Sequence, residues 1–228
     1  MSNITKPEER EDKYEVEIES FGKKRNIKAI VLFSAIAVGL IVGIVLFITL
    51  TNGANDPTIS IGEIIEFGGH DWRVLDIQDG KALILSDLLL ESRAYNERYT
   101  NMTWENSDIR SYLNGEFYYS FNESDRARLF ETEVVNNDNY EYRTRGGNNT
   151  TDKIFLLSID EVNKYFDNDC RISYNRQGNA SWWWLRSPGS LSKRAAIVLS
   201  DGDVYYSGNR IFRDNGGIRP AMWLNLES

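Results

Sequence analysis

The pattern of apolar and polar positions divides the chain near residue 51. Residues 6–20 are dense in Glu and hold almost no apolar residues beyond Val16 and Ile18, so they cannot bury enough surface to order themselves. Ala29 to Leu50 then runs for 22 residues without a charge, and only Ser34 and Thr49 interrupt the apolar run. At about 1.5 Å of rise per residue this makes a helix of roughly 33 Å, close to the thickness of about 30 Å of a bilayer's hydrocarbon core. A cleaved signal peptide would carry a shorter apolar core and a small-residue cleavage site. The Asn52-Gly-Ala54 segment matches that site poorly, so the pattern favours an uncleaved anchor. The expected layout is a cytoplasmic disordered tail (1–28), a transmembrane helix (29–50), a linker (51–58) and an extracytoplasmic domain (59–228).

Beyond the linker the period shortens to that of strands. Ile59 to Phe67 leads into Gly68-Gly69, His70 to Ile77 into Asp79-Gly80, and Lys81 to Leu85 follows; Asp-Gly between apolar runs is a strong hairpin signal. The period then lengthens. Ile109, Leu113 and Phe117 share one helical face, with Tyr112 beside them, and a second helix is expected over Glu123 to Phe130. Asn136 to Asp152 is polar and broken by Gly146-Gly147, which predicts an exposed loop. Ser158-Ile-Asp-Glu161 has the spacing of a capping box and opens a short helix to Phe166. Strand patterns return at Ala195–Leu199, Val204–Tyr206 and Gly217–Leu224. Strands first, helices in the middle and strands last predict an α+β domain.

Charge adds an orientation. Lys23, Lys24, Arg25 and Lys28 crowd the N-terminal side of the apolar run, and the first basic residue on the other side is Arg73. The excess of basic residues on one flank places the N-terminus in the cytoplasm and the domain outside. Within the run Ala35, Gly39 and Gly43 form a row of small residues at four-residue spacing, a face on which two such helices could pair as a homodimer. Residues 52–228 carry 27 acidic against 19 basic side chains, and an acidic surface argues against nucleic acid as the partner. One cysteine, Cys170, and one histidine, His70, leave no means of building an internal disulfide or a Cys/His zinc cluster. No cofactor is called for. Asp167-Asn168-Asp169 and Asp201-Gly-Asp203 could offer oxygen ligands to calcium, but neither has EF-hand spacing, and both also read as turns.

Five segments, taken together, resemble a bacterial family catalogued as domain of unknown function 6273. They are Trp72-Arg-Val-Leu-Asp-Ile, Thr103-Trp-Glu-Asn-Ser-Asp-Ile-Arg-Ser-Tyr-Leu-Asn114 with Phe117, Asp152-Lys-Ile-Phe-Leu-Leu-Ser158, Trp183-Trp-Leu-Arg-Ser-Pro-Gly189 and Gly217-Ile-Arg-Pro-Ala-Met-Trp223. The resemblance runs in order from about residue 60 to 226 and implies a domain often held at the bacterial surface. The Trp-Leu-Arg-Ser and Gly-Ile-Arg-Pro pair is also similar to the closing strands of C-type-lectin-like domains, in particular the subclass of formylglycine-generating enzyme. That likeness implies a fold and not an activity, since those enzymes work through cysteines and Cys170 has no second cysteine.

The residues that would bind a ligand are Trp183, Trp184, Arg186, Arg219 and Trp104. Neighbours in a strand point to opposite faces, so at least one indole of Trp182-Trp183-Trp184 should be displayed, where a sugar ring can stack. The competing expectation makes two of the three core and the third edge packing. Likewise Arg110, Arg186 and Arg219 either form an anion clamp or pair with buried carboxylates. A non-catalytic surface module that contacts a glycan, a peptide or a partner protein follows from this set. The alternatives are an envelope hydrolase working through carboxylates such as Glu105, Asp108 or Asp152, which requires two acids facing each other in a cleft, and a structural subunit of a membrane complex.

Overall fold

Turn chemistry organises the first sheet. The computed structural model describes residues 59–226; the expected anchor, with Ala35, Gly39 and Gly43, lies outside the described residues. Strands β1 (Ile64–Phe67), β2 (His70–Gln78) and β3 (Lys81–Ser86) form a meander. Both of its connections are two-residue turns, with Phe67 opposite His70 and Gln78 opposite Lys81. Gly68, Gly69, Asp79 and Gly80 all have positive φ, the backbone that tight hairpins require and that glycine adopts without strain.

Further along lie β4 (Glu91–Ser92), β5 (Thr132–Val134), β6 (Thr150–Asp152) and β7 (Phe155–Leu156). Then come β8 (Ser173–Tyr174), β9 (Ala180–Ser181), β10 (Trp183–Pro188), β11 (Arg194–Val198), β12 (Val204–Arg210), β13 (Gly217–Ile218) and β14 (Pro220–Asn225). They assemble into two five-stranded sheets, β1-β2-β3-β14-β7 and β12-β11-β10-β13-β4, and two short ribbons, β5-β6 and β8-β9. The C-terminal strand closes the first sheet by pairing with β3 from Ala221↔Leu85 to Asn225↔Lys81. All pairings are antiparallel except that of β10 with β13. A domain rich in sheet with few, short helices is α+β, as expected.

The helices are α1 (Asp108–Tyr112), α2 (Tyr118–Ser120), α3 (Glu123–Ala127), α4 (Ile159–Tyr165) and α5 (Asn168–Arg171). Ser107 caps α1 by accepting from Arg110 N. The expected face of Ile109, Leu113 and Phe117 is buried, but the helix does not keep one pitch. Leu113–Phe117 winds as a π-turn between α1 and α2. There Asn114 clamps the chain ahead of β7: its Oδ1 accepts from Lys153 N and Ile154 N, and its Nδ2 donates to Ile154 O. The capping box on α4 is complete, with Ser158 Oγ accepting from Glu161 N and Glu161 Oε2 accepting from Ser158 N.

The stretch from Asn136 to Asp152 is for the most part the exposed loop that its polarity predicts, but it is pinned at a few buried positions. Asn136, Asn139, Thr150 and Asp152 are buried, and 150–152 is strand β6. Amide side chains here take the place of a backbone ladder. Asn139 Nδ2 donates to Pro188 O and Tyr206 O, and its Oδ1 accepts from Glu141 N and Tyr142 N. A buried polar group is tolerated when it is hydrogen-bonded, and composition alone does not reveal that these asparagines are. Among the described residues no helix is long and apolar enough to cross a membrane.

Candidate functional site

Four fully buried tryptophans hold the core, and each indole N–H reaches a main-chain or carboxylate oxygen elsewhere in the chain. Trp72 donates to Phe67 O, Trp104 to Asp152 Oδ2, Trp183 to Arg171 O and Trp184 to Arg93 O, at 2.8 to 3.1 Å. The large apolar ring and its single donor are both satisfied inside, which is the usual condition for burying an indole. Strand β10 is buried along its whole length, so alternation of its side chains exposes neither face. Trp183, Trp184 and Trp104 are all buried, so two of the three indoles in the run are core and the third is edge packing, as the competing expectation has it. Trp182 is the half-buried member of the run, edge-on to Trp184 at 4.8 Å.

The arginines divide. Arg110 Nε donates to Asp152 Oδ1 at 2.7 Å, and the same carboxylate accepts from Trp104 and from the Thr150 hydroxyl. Arg186 takes Glu161 with both terminal nitrogens and also reaches Leu156 O and Val135 O. Both therefore tie segments together. Asp152, Asp108 and Glu105 are likewise engaged: Asp108 Oδ2 accepts from Glu97 N, and Glu105 Oε2 accepts from the Asn148 amide. His70 opens β2 and sits edge-on to Trp72. In the Asp201–Asp203 turn, Asp201 Oδ1 accepts from Asp203 N.

Arg219 behaves differently. Its side chain is buried, with 2% of its surface exposed, and its Nε donates to Ser86 O and its Nη2 to Asp87 O. The guanidinium lies near the rings of Trp183 and Phe166, at 5.2 and 5.6 Å from their centroids. No Asp or Glu carboxylate among the described residues forms an ion pair with it, and its Nη1 is buried without a hydrogen-bond partner. The expected buried carboxylate is absent because Asp87, the nearest candidate, is taken by Arg73 at 2.8 Å. Burial pulls the Arg219 pKa down to about 10, with Arg73 acting in the same direction and Asp87 against it. It remains a cation at neutral pH.

Arg219 lines a cavity of about 460 Å³, within the range of small-molecule sites. Val74 and Leu75 form part of one wall, at the point where the register between β2 and β3 shifts; a bulge of this kind re-aims side chains. Phe166 follows α4, and Ile172 and Tyr174 follow α5. Tyr165 adds a phenol that burial, chiefly, and its hydrogen bond to Asp76 push up in pKa, so it stays neutral. Ile61, Leu88 and Tyr174 are exposed at the cavity and mark its opening, and Cys170 is a free, exposed thiol there. Of the residues expected to bind, only Arg219 reaches this cavity, with the Trp183 ring near it. Arg73, Asp87, Tyr165 and Cys170 were not anticipated. The one available signal was Arg73, which follows Trp72 in a quoted motif.

The family model described as Domain of unknown function (DUF6273) matches residues 79–226. It takes in the cavity walls from Asp87 onward and Arg219, and begins after β1 and β2. No curated protein and no solved structure gives a significant match. With well over half of its length matched from β3 to the last strand, this chain belongs to the DUF6273 family.

Proposed function

We propose that residues 59–228 are a non-catalytic binding module displayed outside the cell on a single N-terminal membrane helix at 29–50. The observation that carries the binding role is the 460 Å³ cavity with a buried cation in its lining that keeps one nitrogen unpaired. Buried polar groups in folded proteins are nearly always satisfied, and Arg219 departs from this in a residue that lines the cavity. The charge-free run 29–50 and its basic N-terminal flank support the display. The finer reading of the fold is C-type-lectin-like. It is supported by Trp-Leu-Arg-Ser falling in β10 and Gly-Ile-Arg-Pro beginning in β13, since β10 and β13 pair side by side.

The test is a binding screen on the purified full-length chain with cell-wall glycans, peptides and small organic anions, each ligand recovered and checked for chemical change. Saturable binding with the ligand returned intact is expected. Turnover of a ligand, or no binding in any class, overturns the reading. For the display, protease added outside intact cells is expected to cut within residues 59–228, and protection of that domain would overturn the topology.

A further inference from the structure

Resting on the reading of a binding module, we propose that the Arg219 cavity takes a monocarboxylate with an apolar body. The carboxylate is received by the Arg219 guanidinium in the cavity lining and the body by the walls that Leu75, Leu88, Phe166 and Ile172 supply.

Three features select this class. First, two of the three nitrogens of Arg219 are fixed on Ser86 O and Asp87 O and two rings lie near it. The guanidinium is therefore positioned before any ligand arrives, with N–H groups beyond those two bonds still to give. Second, the charged residues lining the cavity are Arg73, Arg219 and Asp87, and Asp87 is already paired with Arg73. The lining carries one uncompensated positive charge, which a monoanion neutralises. A phosphate monoester, near two negative charges, exceeds the charge. Third, the remaining walls are largely apolar, so they desolvate a hydrocarbon body and strengthen the charge-assisted contact beside it. A neutral amide of the same shape fills the walls and leaves the charge unanswered.

Cys170, the only cysteine of the chain, stands at the cavity and reports on its occupancy. The experiment uses the full-length chain in lipid nanodiscs, alkylated with the neutral reagent iodoacetamide and followed by intact mass. Hexanoate and 3-phenylpropionate are the probes, with hexanamide and hexyl phosphate as controls. A fragment-sized acid with a Kd of about 1 mM slows labelling about tenfold at about 10 mM, and hexanamide leaves it unchanged. Arg219→Met is expected to abolish the protection. Leu88→Glu places an acid at the exposed rim without touching the core, and is expected to weaken it even if Arg219→Met fails to fold. Equal protection by hexanamide or hexyl phosphate overturns the proposal, as does protection that survives both substitutions. No protection by either acid, from a chain that binds a glycan or peptide in the wider screen, overturns the carboxylate assignment and leaves the binding module standing. A chain that binds nothing in any class removes both.

Discussion

Arg186 and Glu161 are joined by both terminal nitrogens of the guanidinium, with Nη2 at 2.9 Å from Oε1 and Nη1 in contact with Oε2. The pair links β10 to the first turn of α4, where Glu161 also closes the capping box on Ser158. One carboxylate therefore serves both a local helix cap and a tertiary tie. Glu161→Gln leaves a buried guanidinium facing an amide that can accept but carries no charge. We expect a loss of about 2–3 kcal/mol, against about 1 kcal/mol for Ser158→Ala, which removes only the cap. Urea denaturation of the two variants measures the difference, and equal losses would show that the tie to Arg186 contributes nothing beyond the cap.

The same carboxylate sets an acid dependence. Burial pushes the Glu161 carboxyl up, but the charge and hydrogen bonds of Arg186 and the bonds to Ser158 outweigh it and hold the pKa below the usual range. Asp76 is lowered in the same sense: burial raises it, and hydrogen bonds from Tyr165, Gln78 and Ile77 N with the charge of Lys164 outweigh that. A carboxyl depressed in the folded state contributes stability that is fully present above its unfolded pKa, about 4.3 for Glu and 3.9 for Asp. That contribution is lost as pH falls through the lower folded value. Stability should therefore drop on acidification below about pH 4, and the drop should be shallower in Glu161→Gln. Denaturation midpoints between neutral and strongly acid pH test this; parallel curves for wild type and variant would refute it.

Asp152 is the hub of a second network, with its side chain fully buried and three donors on its two oxygens. Asp152→Ala strands the Trp104 N–H, the Thr150 hydroxyl and the Arg110 charge together. Removal of one partner from a buried pair costs about 3–5 kcal/mol. Asp152→Asn keeps an acceptor for Trp104 and should cost less. Thermal unfolding ranks the two, and the indole of Trp104 should redden its emission in the alanine variant as its surroundings open.

These networks mark the limit of what could be read from residue order. The Gly68-Gly69 and Asp79-Gly80 hairpins and the Ser158–Glu161 box were legible because each is a contract among near neighbours. The insertion of β14 between β3 and β7 was not, since its partners lie more than a hundred residues away at Leu85 and over sixty away at Leu156. Alternation failed at Trp183 and Trp184 because it assumes one solvated face, and β10 has none. The fates of Arg110, Arg186 and Arg219 looked alike in their motifs. They differ because Asp152 and Glu161 arrive from distant segments, whereas Asp87 is turned to Arg73 and not to Arg219. No local pattern records that last choice.

Two glycines separate steric from conformational demands. Gly208, in β12, has φ +68°, and an added Cβ would stand 2.1 Å from Ala195 O. Gly69 has φ +76° and open space around the same position. Gly69→Ala carries only the strain of a left-handed residue, about 1 kcal/mol. Gly208→Ala adds a clash with backbone that must part β11 from β12, and should cost well over 2 kcal/mol. Comparable denaturation midpoints for the two would mean that β12 yields more readily than its pairing indicates.

The last contrast concerns burying a charge with and without an answer. Arg186→Met leaves Glu161 as an unpaired carboxylate and exposes the carbonyls of Leu156 and Val135 to an apolar side chain, so it should cost about 3–5 kcal/mol. Arg219→Met removes a cation with no carboxylate partner. What is lost is two bonds to main-chain carbonyls, and what is gained is relief from holding an unanswered charge near two rings. Replacement of buried ions by apolar groups of similar volume is often neutral or stabilising, so the change should fall within about 1 kcal/mol of wild type. Denaturation of both variants decides the matter. If Arg219→Met is as damaging as Arg186→Met, the bonds of Arg219 to Ser86 O and Asp87 O make its guanidinium a structural tie like its counterpart.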